Sequence, residues 1–156
     1  MELKKKEAVL KYNELLYLSQ LLNQISILKF EEELRKPIFL LKKSLIIGVQ
    51  DFEEKRTFIL LMNGGIEKTN QQGGTYFDEP KYETRTTFKG TDEEYKKYLK
   101  ETIVIKRKLF DEIIALGEKE SNVEVEAFMT AEQFEALLTL TGNVELSQLK
   151  NKLVKI

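Results

Sequence analysis

The stretch EEELRKPIFLLKKSLIIGVQDFEEKRTFILLMNGG, residues 31–65, decides the fold of this chain because it predicts one long helix with a defined end. Pro37 falls in the first two turns, where a missing backbone N–H costs little. The Asn-Gly-Gly run at 63–65 accepts the left-handed geometry of a helix cap, so the helix is predicted over about 31–62. Apolar side chains recur along it at helical spacing and form its predicted packing surface: Phe39, Leu40, Ile46, Ile47, Val49, Phe52, Phe58, Ile59 and Leu61.

A second long helix begins within the segment TDEEYKKYLKE, which starts at Thr91. Thr91 and Glu94 have the spacing of a capping box, in which each side chain bonds the backbone N–H of the other residue. Gly117 is the predicted C-terminal cap, because glycine adopts left-handed geometry without strain. The predicted packing stripe of this helix consists of Tyr95, Tyr98, Leu99, Thr102, Ile105, Leu109, Ile113 and Leu116.

Residues 66–90, between the two helices, are dominated by Thr, Tyr, Phe and Gly. Gly73 and Gly74 are turn signals, and so is the Asp-Glu-Pro segment at 78–80. The segment YETRTTF at 82–88 is rich in residues that favour strands. We expect one or two short β-hairpins here, or a loop with strand character, forming a β-rich tip.

The N-terminal part of the chain predicts a shorter helix over residues 7–24. Leu15, Leu18 and Leu22 step by three or four residues and so lie on one helix face. The run ISILKF at 25–30 blurs that period, so we expect a break between two helices there.

The C-terminal part predicts small elements. The alternation of VEVEAF at 123–128 indicates a strand, and Thr130 caps a helix that should end at Gly142. A short last helix is expected over about 145–153. Residues 1–4 are a further candidate strand, which the charge pattern would pair with the strand at 123–128.

These elements predict an α+β fold that is mainly α. A long antiparallel helical hairpin of about 31–62 and 91–117 carries the β-rich tip at about 66–90, and small strand and helix elements follow. The length of 156 residues fits a single domain, 1–156. Both helices are long for one small domain, so we also expect a second copy of the chain to cover part of their stripes in a coiled-coil-like homodimer.

Histidine and cysteine are both absent from the sequence. The printed residues therefore cannot form a Cys or His metal site, a Ser-His-Asp triad or a Cys nucleophile. We expect a non-enzymatic protein with no catalytic, metal or cofactor site.

The charges are balanced, with 25 basic and 26 acidic side chains and a net charge of −1. A general nucleic-acid binder, or a protein that binds anionic membranes, would carry a basic excess, so we expect neither kind of partner. The absence of cysteine favours an intracellular setting, and the opening residues lack the apolar run of a signal peptide. We therefore expect a cytoplasmic location in a host cell.

Three acidic clusters leave an enzyme alternative open. The clusters at 51–54, 78–79 and 92–94 offer carboxylate oxygens, which Mg²⁺ prefers, as in a carboxylate–Mg²⁺ hydrolase or nuclease. A solvated helix face explains the first cluster, and a helix start explains the last, since acidic side chains favour helix N-termini. A binding function is therefore preferred over the Mg²⁺ alternative.

Five side chains near the predicted tip are candidates for contact with a protein partner: Tyr76, Phe77, Tyr82, Arg85 and Phe88. Tyr and Arg are enriched among the residues that dominate binding energy in protein interfaces. The alternative is that these side chains only hold a small sheet together.

Three segments carry a resemblance to known proteins: ISILKFEEELRKPIFLLKKSL at 25–45, TDEEYKKYLKE at 91–101 and VEVEAFMTAEQFEALL at 123–138. Their layout resembles the small proteins that siphoviruses and prophages of Gram-positive bacteria encode near their tail and lysis genes. Two antiparallel helices with β-hairpins also resemble prefoldin-like subunits, in architecture alone.

The viral resemblance brings no catalytic residues and implies a phage or mobile-element accessory protein. Its role would be structural, in assembly or in contact with the host, through a host or virion protein as partner. The protein would then be cytoplasmic or virion-associated. The alternative within binding is a stoichiometric inhibitor of a host enzyme or defence system.

Overall fold

The structure, a computed structural model, describes residues 7–126 and 129–154. Its helical share is 68% and its strands are short, which confirms an α+β fold that is mainly α. The helices are α1 (Tyr12–Asn23), α2 (Glu32–Met62), α3 (Asp92–Glu118), α4 (Ala131–Thr141) and α5 (Lys150–Leu153). The strands are β1 (Glu7–Lys11), β2 (Ile66–Thr69), β3 (Thr75–Asp78) and β4 (Glu120–Glu126), and 3₁₀ turns cover Ile27–Lys29 and Val144–Leu149.

The chain divides into two compact units. The first unit comprises Met1–Phe52 and Gly117–Ile156, and the second comprises Glu53–Leu116. The boundaries fall inside α2 and near the end of α3, so each long helix contributes to both units. The expectation of a single domain stays a prediction.

The N-terminal helix is shorter than predicted, because Glu7–Lys11 is a strand. The backbone is still extended at Lys11, with ψ at 154°, and the Lys11 N–H donates to the Glu14 carboxylate at 2.9 Å. Helical geometry starts at Tyr12, so the predicted start at residue 7 is wrong. From there the predicted stripe is confirmed, and the 3₁₀ turn at Ile27–Lys29 is the expected break.

In the first unit, β1 and β4 form an antiparallel two-stranded sheet, with Val9 opposite Glu124. The strand predicted at 123–128 is confirmed as far as residue 126, and residues 127–128 lie outside the described part. The candidate strand at 1–4 also lies outside the described residues. The segment that pairs with β4 is therefore β1, which the sequence indicated as helix.

The packing face of α2 in the first unit is rotated from the predicted one. Leu34, Ile38, Leu41 and Leu45, spaced by four, three and four residues, are buried in the core of this unit. Of the predicted surface in this unit, Phe52 is buried and Val49 packs against the core, but Phe39, Ile46 and Ile47 are exposed. Phe58 and Leu61, in the second unit, are exposed too. The predicted surface is therefore confirmed at Val49 and Phe52 and is wrong at Phe39, Ile46 and Ile47.

The cap of α2 follows the prediction. Gly64 has a positive φ of 80°, and the Gly65 N–H donates to the Leu60 carbonyl at 2.7 Å. This bond satisfies a carbonyl that the end of the helix leaves without an intrahelical partner.

The start of α3 is confirmed and its predicted cap is wrong. The Thr91 hydroxyl accepts the Glu94 N–H at 3.2 Å, as an N-cap residue does. Gly117 is helical, and α3 continues to Glu118. Glycine is needed at 117 for space, since a Cβ there would lie 2.8 Å from Asn13 Cγ.

The C-terminal elements follow the predicted order. Thr130 and Gln133 form a capping box at the start of α4, and Gly142, with a φ of 61°, ends the helix. The predicted last helix at about 145–153 is instead a 3₁₀ turn followed by the single turn α5.

Candidate protein-binding surface

The first two candidate residues lie on the β2–β3 hairpin of the second unit. The strands are antiparallel, with Tyr76 opposite Lys68 and Phe77 opposite Glu67. Successive side chains of a strand point to opposite faces, so Tyr76 and Phe77 do not share a face. Tyr76 is 45% exposed, whereas Phe77 is half-buried.

The loop of this hairpin is closed by hydrogen bonds from and to Asn70. Its N–H donates to the Gly74 carbonyl at 2.8 Å, and its side-chain oxygen accepts the N–H groups of Gln72 and Gly74. Gly73 has a φ of 84°, which favours glycine at this turn position. The turn predicted at Gly73 and Gly74 is thus confirmed.

An ion pair crosses the hairpin, with Lys68 Nζ 2.9 Å from Asp78 Oδ2. The hydrogen bond from Lys68, followed by the one from the Glu79 N–H, lowers the pKa of Asp78 below its ordinary value. The hydrogen bond to Asp78 raises the pKa of Lys68. The Asp78 contribution to hairpin stability is therefore present above the ordinary carboxyl pKa and is lost as pH falls through the lowered value. The Lys68 contribution is lost as pH rises through its raised pKa.

The Asp78 carboxyl is expected to titrate below the ordinary Asp range when its side-chain carbon is followed by NMR across acidic pH. The Lys68→Met variant has a side chain of similar length without the charge. In this variant the titration midpoint of Asp78 should move back up toward that range. An unchanged midpoint in this variant would show that Lys68 does not hold the carboxylate.

Tyr82 lies in the segment between β3 and α3, where its ring meets a cation. The Lys106 ammonium is 4.5 Å from the ring centroid, a cation–π distance. The Tyr82 hydroxyl is buried and has no hydrogen-bond partner among the described residues. This burial, followed by the nearby charge of Glu79, raises the pKa of Tyr82.

Arg85 is held at the start of α3 by three groups. Its guanidinium lies 2.6 Å from the Asp92 carboxylate, and it donates to the Gly90 carbonyl at 3.3 Å. It also lies over the ring of Tyr95, 5.6 Å from the centroid. Because these contacts hold the Arg85 guanidinium in place before any partner binds, binding through it would cost little side-chain entropy.

Phe88 belongs to an aromatic cluster with the first two turns of α3. Its ring stacks on Tyr98 at a centroid distance of 5.1 Å and tilts against Tyr95 at 5.4 Å. The Tyr98 hydroxyl accepts the Glu83 N–H at 2.8 Å, which ties the preceding segment to the helix. The segment 82–88 is therefore a turn packed on α3, and the strands of residues 66–90 are those of the β2–β3 hairpin.

The structure brings three of the five candidates together and leaves two apart. Arg85 and Phe88 both contact Tyr95. Tyr82 lies near them because the N–H of its neighbour Glu83 donates to the Tyr98 hydroxyl. Within residues 53–116, all of which are described, no ring contact or hydrogen bond joins the hairpin residues Tyr76 and Phe77 to these three.

The sequence pattern placed Tyr95 and Tyr98 in the packing stripe of α3 and did not indicate that they belong to this surface. The available signal was their spacing of three residues just after a helix cap, which places both rings on one helix face. We use the name aromatic surface for Tyr82, Arg85 and Phe88 together with these two tyrosines.

The acidic clusters are engaged in other contacts. Asp92 binds Arg85, Asp78 binds Lys68, and Asp51 accepts a hydrogen bond from the Tyr12 hydroxyl. Among the described residues, no three carboxylates are grouped so that they could hold a metal ion.

Comparisons with known proteins complete the description. The chain has no match among protein-family models, curated proteins or solved structures. In the part of the chain that the structure describes, no helix has the length and apolarity needed to cross a membrane. The case for the aromatic surface therefore rests on its own contacts and exposure.

Proposed function

We propose that this chain is a non-enzymatic accessory protein of a phage or mobile element that binds a protein partner through the aromatic surface. The observation that carries the proposal is the position of the Arg85 guanidinium, which is held by Asp92 beside stacked aromatic rings. Arg and Tyr anchors held in place before binding are typical of the centres of protein interfaces. The exposed Tyr76 supplies a further anchor on the hairpin.

The proposal includes the arrangement of the two long helices as an antiparallel hairpin with the β-rich tip at one end. In the second unit, the Asn63 carboxamide donates to the Glu112 carboxylate at 2.8 Å. This bond joins the end of α2 to the C-terminal half of α3, whereas helices that overlap along their whole length would place Asn63 beside the start of α3. The proposed hairpin therefore overlaps only near the C-terminal ends of the two helices. Such a hairpin would present the aromatic surface on a rigid base, as binding sites require.

The cellular setting belongs to the same proposal. The resemblance to siphovirus and prophage proteins supports a host or virion protein as partner, with a location in the host cytoplasm or in the virion. A partner from the virion would indicate an assembly or structural role. A host enzyme or defence protein bound at equal stoichiometry would indicate an inhibitor.

The test is affinity capture from phage-infected host lysate, followed by calorimetry with the purified captured protein. We expect one dominant protein at near-equal stoichiometry. Each of the variants Tyr76→Ala and Arg85→Ala should weaken its binding by about 30-fold or more, as expected for hot-spot residues. Val144→Ala, at an 83% exposed position in the first unit, is the control and should bind as tightly as the unaltered chain.

Two outcomes would contradict the proposal. Equal affinity of both variants and the control would place binding elsewhere on the chain. Turnover of a phosphoester substrate that requires Mg²⁺ and is abolished by a chelator would favour the hydrolase alternative.

A further inference from the structure

Four large apolar side chains of α3 form an exposed stripe: Leu99, Ile103, Phe110 and Ile114. Their exposed fractions run from 39% for Leu99 to 64% for Phe110. At about 100° per residue the four fall within about 60° of arc, on one line about 22 Å long. We use the name α3 stripe for these four residues.

The α3 stripe is separate from the face that α3 buries in its own unit. Thr102, Leu109 and Leu116 are buried, and they lie on a neighbouring face of the helix. Leu99 was predicted to lie on that buried face, whereas it is 39% exposed. A monomer would therefore keep these four apolar side chains in water, as two pairs on either side of Lys106 and Arg107, and exposed apolar groups of this kind are typical of an interaction site.

The spacing of the α3 stripe is symmetric along the helix. The midpoint between Leu99 and Ile114 along the helix is also the midpoint between Ile103 and Phe110. It lies between Lys106 and Arg107. An antiparallel second copy of α3 would therefore place Leu99 against Ile114 of the copy, and Ile103 against Phe110 of the copy. In a two-fold symmetric contact the same patch is used by both copies, which this pattern satisfies.

The flanking charges complement each other in the same register. Lys100 and Asp111 lie on the same side of the stripe, and both are exposed. Neither forms an ion pair within residues 7–126 and 129–154. Antiparallel packing brings Lys100 within about 3 Å, along the axis, of Asp111 of the copy, and symmetry creates this pair twice.

The centre of the contact carries two basic residues, Lys106 and Arg107. The Lys106 ammonium is directed onto the Tyr82 ring at 4.5 Å. Arg107 lies one turn before Asp111, where an opposite charge on the same helix reduces repulsion from its counterpart. Both long side chains can also cover apolar surface with their stems while their charges stay in water.

We infer that the α3 stripe binds a second copy of this chain, helix against helix in antiparallel register, giving a two-fold symmetric homodimer. The inference does not depend on the proposed partner or on the aromatic surface. It accounts for the four exposed apolar side chains and for the symmetric placement of Lys100 and Asp111.

The first experiment measures the mass of the full chain by sedimentation equilibrium across a concentration series. The unaltered chain should be a dimer, and Phe110→Glu should weaken the dimer by about 100-fold or more. Phe39→Glu is the matched control, because Phe39 is 61% exposed on α2 in the first unit. It should leave the dimer intact, and circular dichroism should show both variants folded.

The second experiment tests the register by exchanging charges. Lys100→Glu and Asp111→Lys should each weaken the dimer by about tenfold, since each change creates two like-charge pairs. The double variant restores both pairs and should return the Kd to within about threefold of the unaltered value.

Three results would overturn the inference. The first is a chain that stays monomeric at all concentrations. The second is a dimer that Phe110→Glu leaves unchanged. The third is a double charge variant no tighter than the single ones, because a parallel contact would separate Lys100 from Asp111 of the copy by about 16 Å along the axis. Partner capture that persists in Phe110→Glu would show that the proposed function stands even if dimerisation fails.

Discussion

Replacing Ile38 by Ala is expected to lower the free energy of unfolding by about 2–5 kcal/mol. Ile38 is fully buried in the core of the first unit, so truncation removes apolar contacts and leaves a cavity. The neighbouring Phe39 is 61% exposed, and Phe39→Ala should change stability by no more than about 0.5 kcal/mol. Urea unfolding followed by circular dichroism gives both values.

This pair of variants tests the rotation of α2 directly, because the two residues are adjacent and similar in apolarity. The sequence assigned Phe39 to the packing surface and did not include Ile38. A larger loss of stability for Phe39→Ala than for Ile38→Ala would restore the predicted face and contradict the packing described for the first unit.

Gly48→Ala is expected to destabilise the chain by about 1–3 kcal/mol, although alanine is the better helix former. A Cβ at position 48 would run into the side chain of Leu15, reaching its Cδ1 and lying 3.0 Å from its Cγ. Leu15 is fully buried in the core of the first unit, so moving it aside would disturb its packing there. The close approach of α1 and α2 thus depends on the missing side chain of Gly48.

A double-mutant cycle separates this clash from the effect of Gly48→Ala on the helix itself. With Leu15→Ala as background, the methyl group at position 48 has space, and Gly48→Ala should be neutral or stabilising by up to about 1 kcal/mol. If Gly48→Ala costs the same in both backgrounds, Leu15 is not the residue that requires glycine.

Helix positions and caps could be predicted because local chemistry determines them. Thr91, Thr130 and the Gly64–Gly65 pair each satisfy backbone groups at a helix end, and the structure places all of them as expected. The helical faces were harder, since long runs such as LIIGV at 45–49 offer apolar residues in every direction. Only packing against α1 and α4 decides which of them are buried.

Strands were harder to predict where long-range contacts overrule local preference. The five residues of β1 continue a helical pattern, yet pairing with β4 makes them extended. The segment 82–88 has the composition of a strand, but stacking of Phe88 on Tyr98 keeps it as a turn. Intrinsic strand preference is weak compared with such contacts.

The candidate surface was predicted in part. Sequence composition identified Tyr82, Arg85 and Phe88, which the structure places near one another at the start of α3. It could not show that Arg85 binds Asp92, because that contact depends on the path of the turn. It also assigned part of the exposed side of α3 to the core, since an apolar period does not distinguish a buried face from one that meets another molecule.

Hydrogen–deuterium exchange on the chain alone and in complex with its captured partner tests the central claim most directly. We predict that binding slows exchange in residues 75–98, which hold the aromatic surface, and leaves α4 unchanged. Slowing confined to α4 and the C-terminal turns, with residues 75–98 exchanging as in the free chain, would contradict the assignment of the partner site.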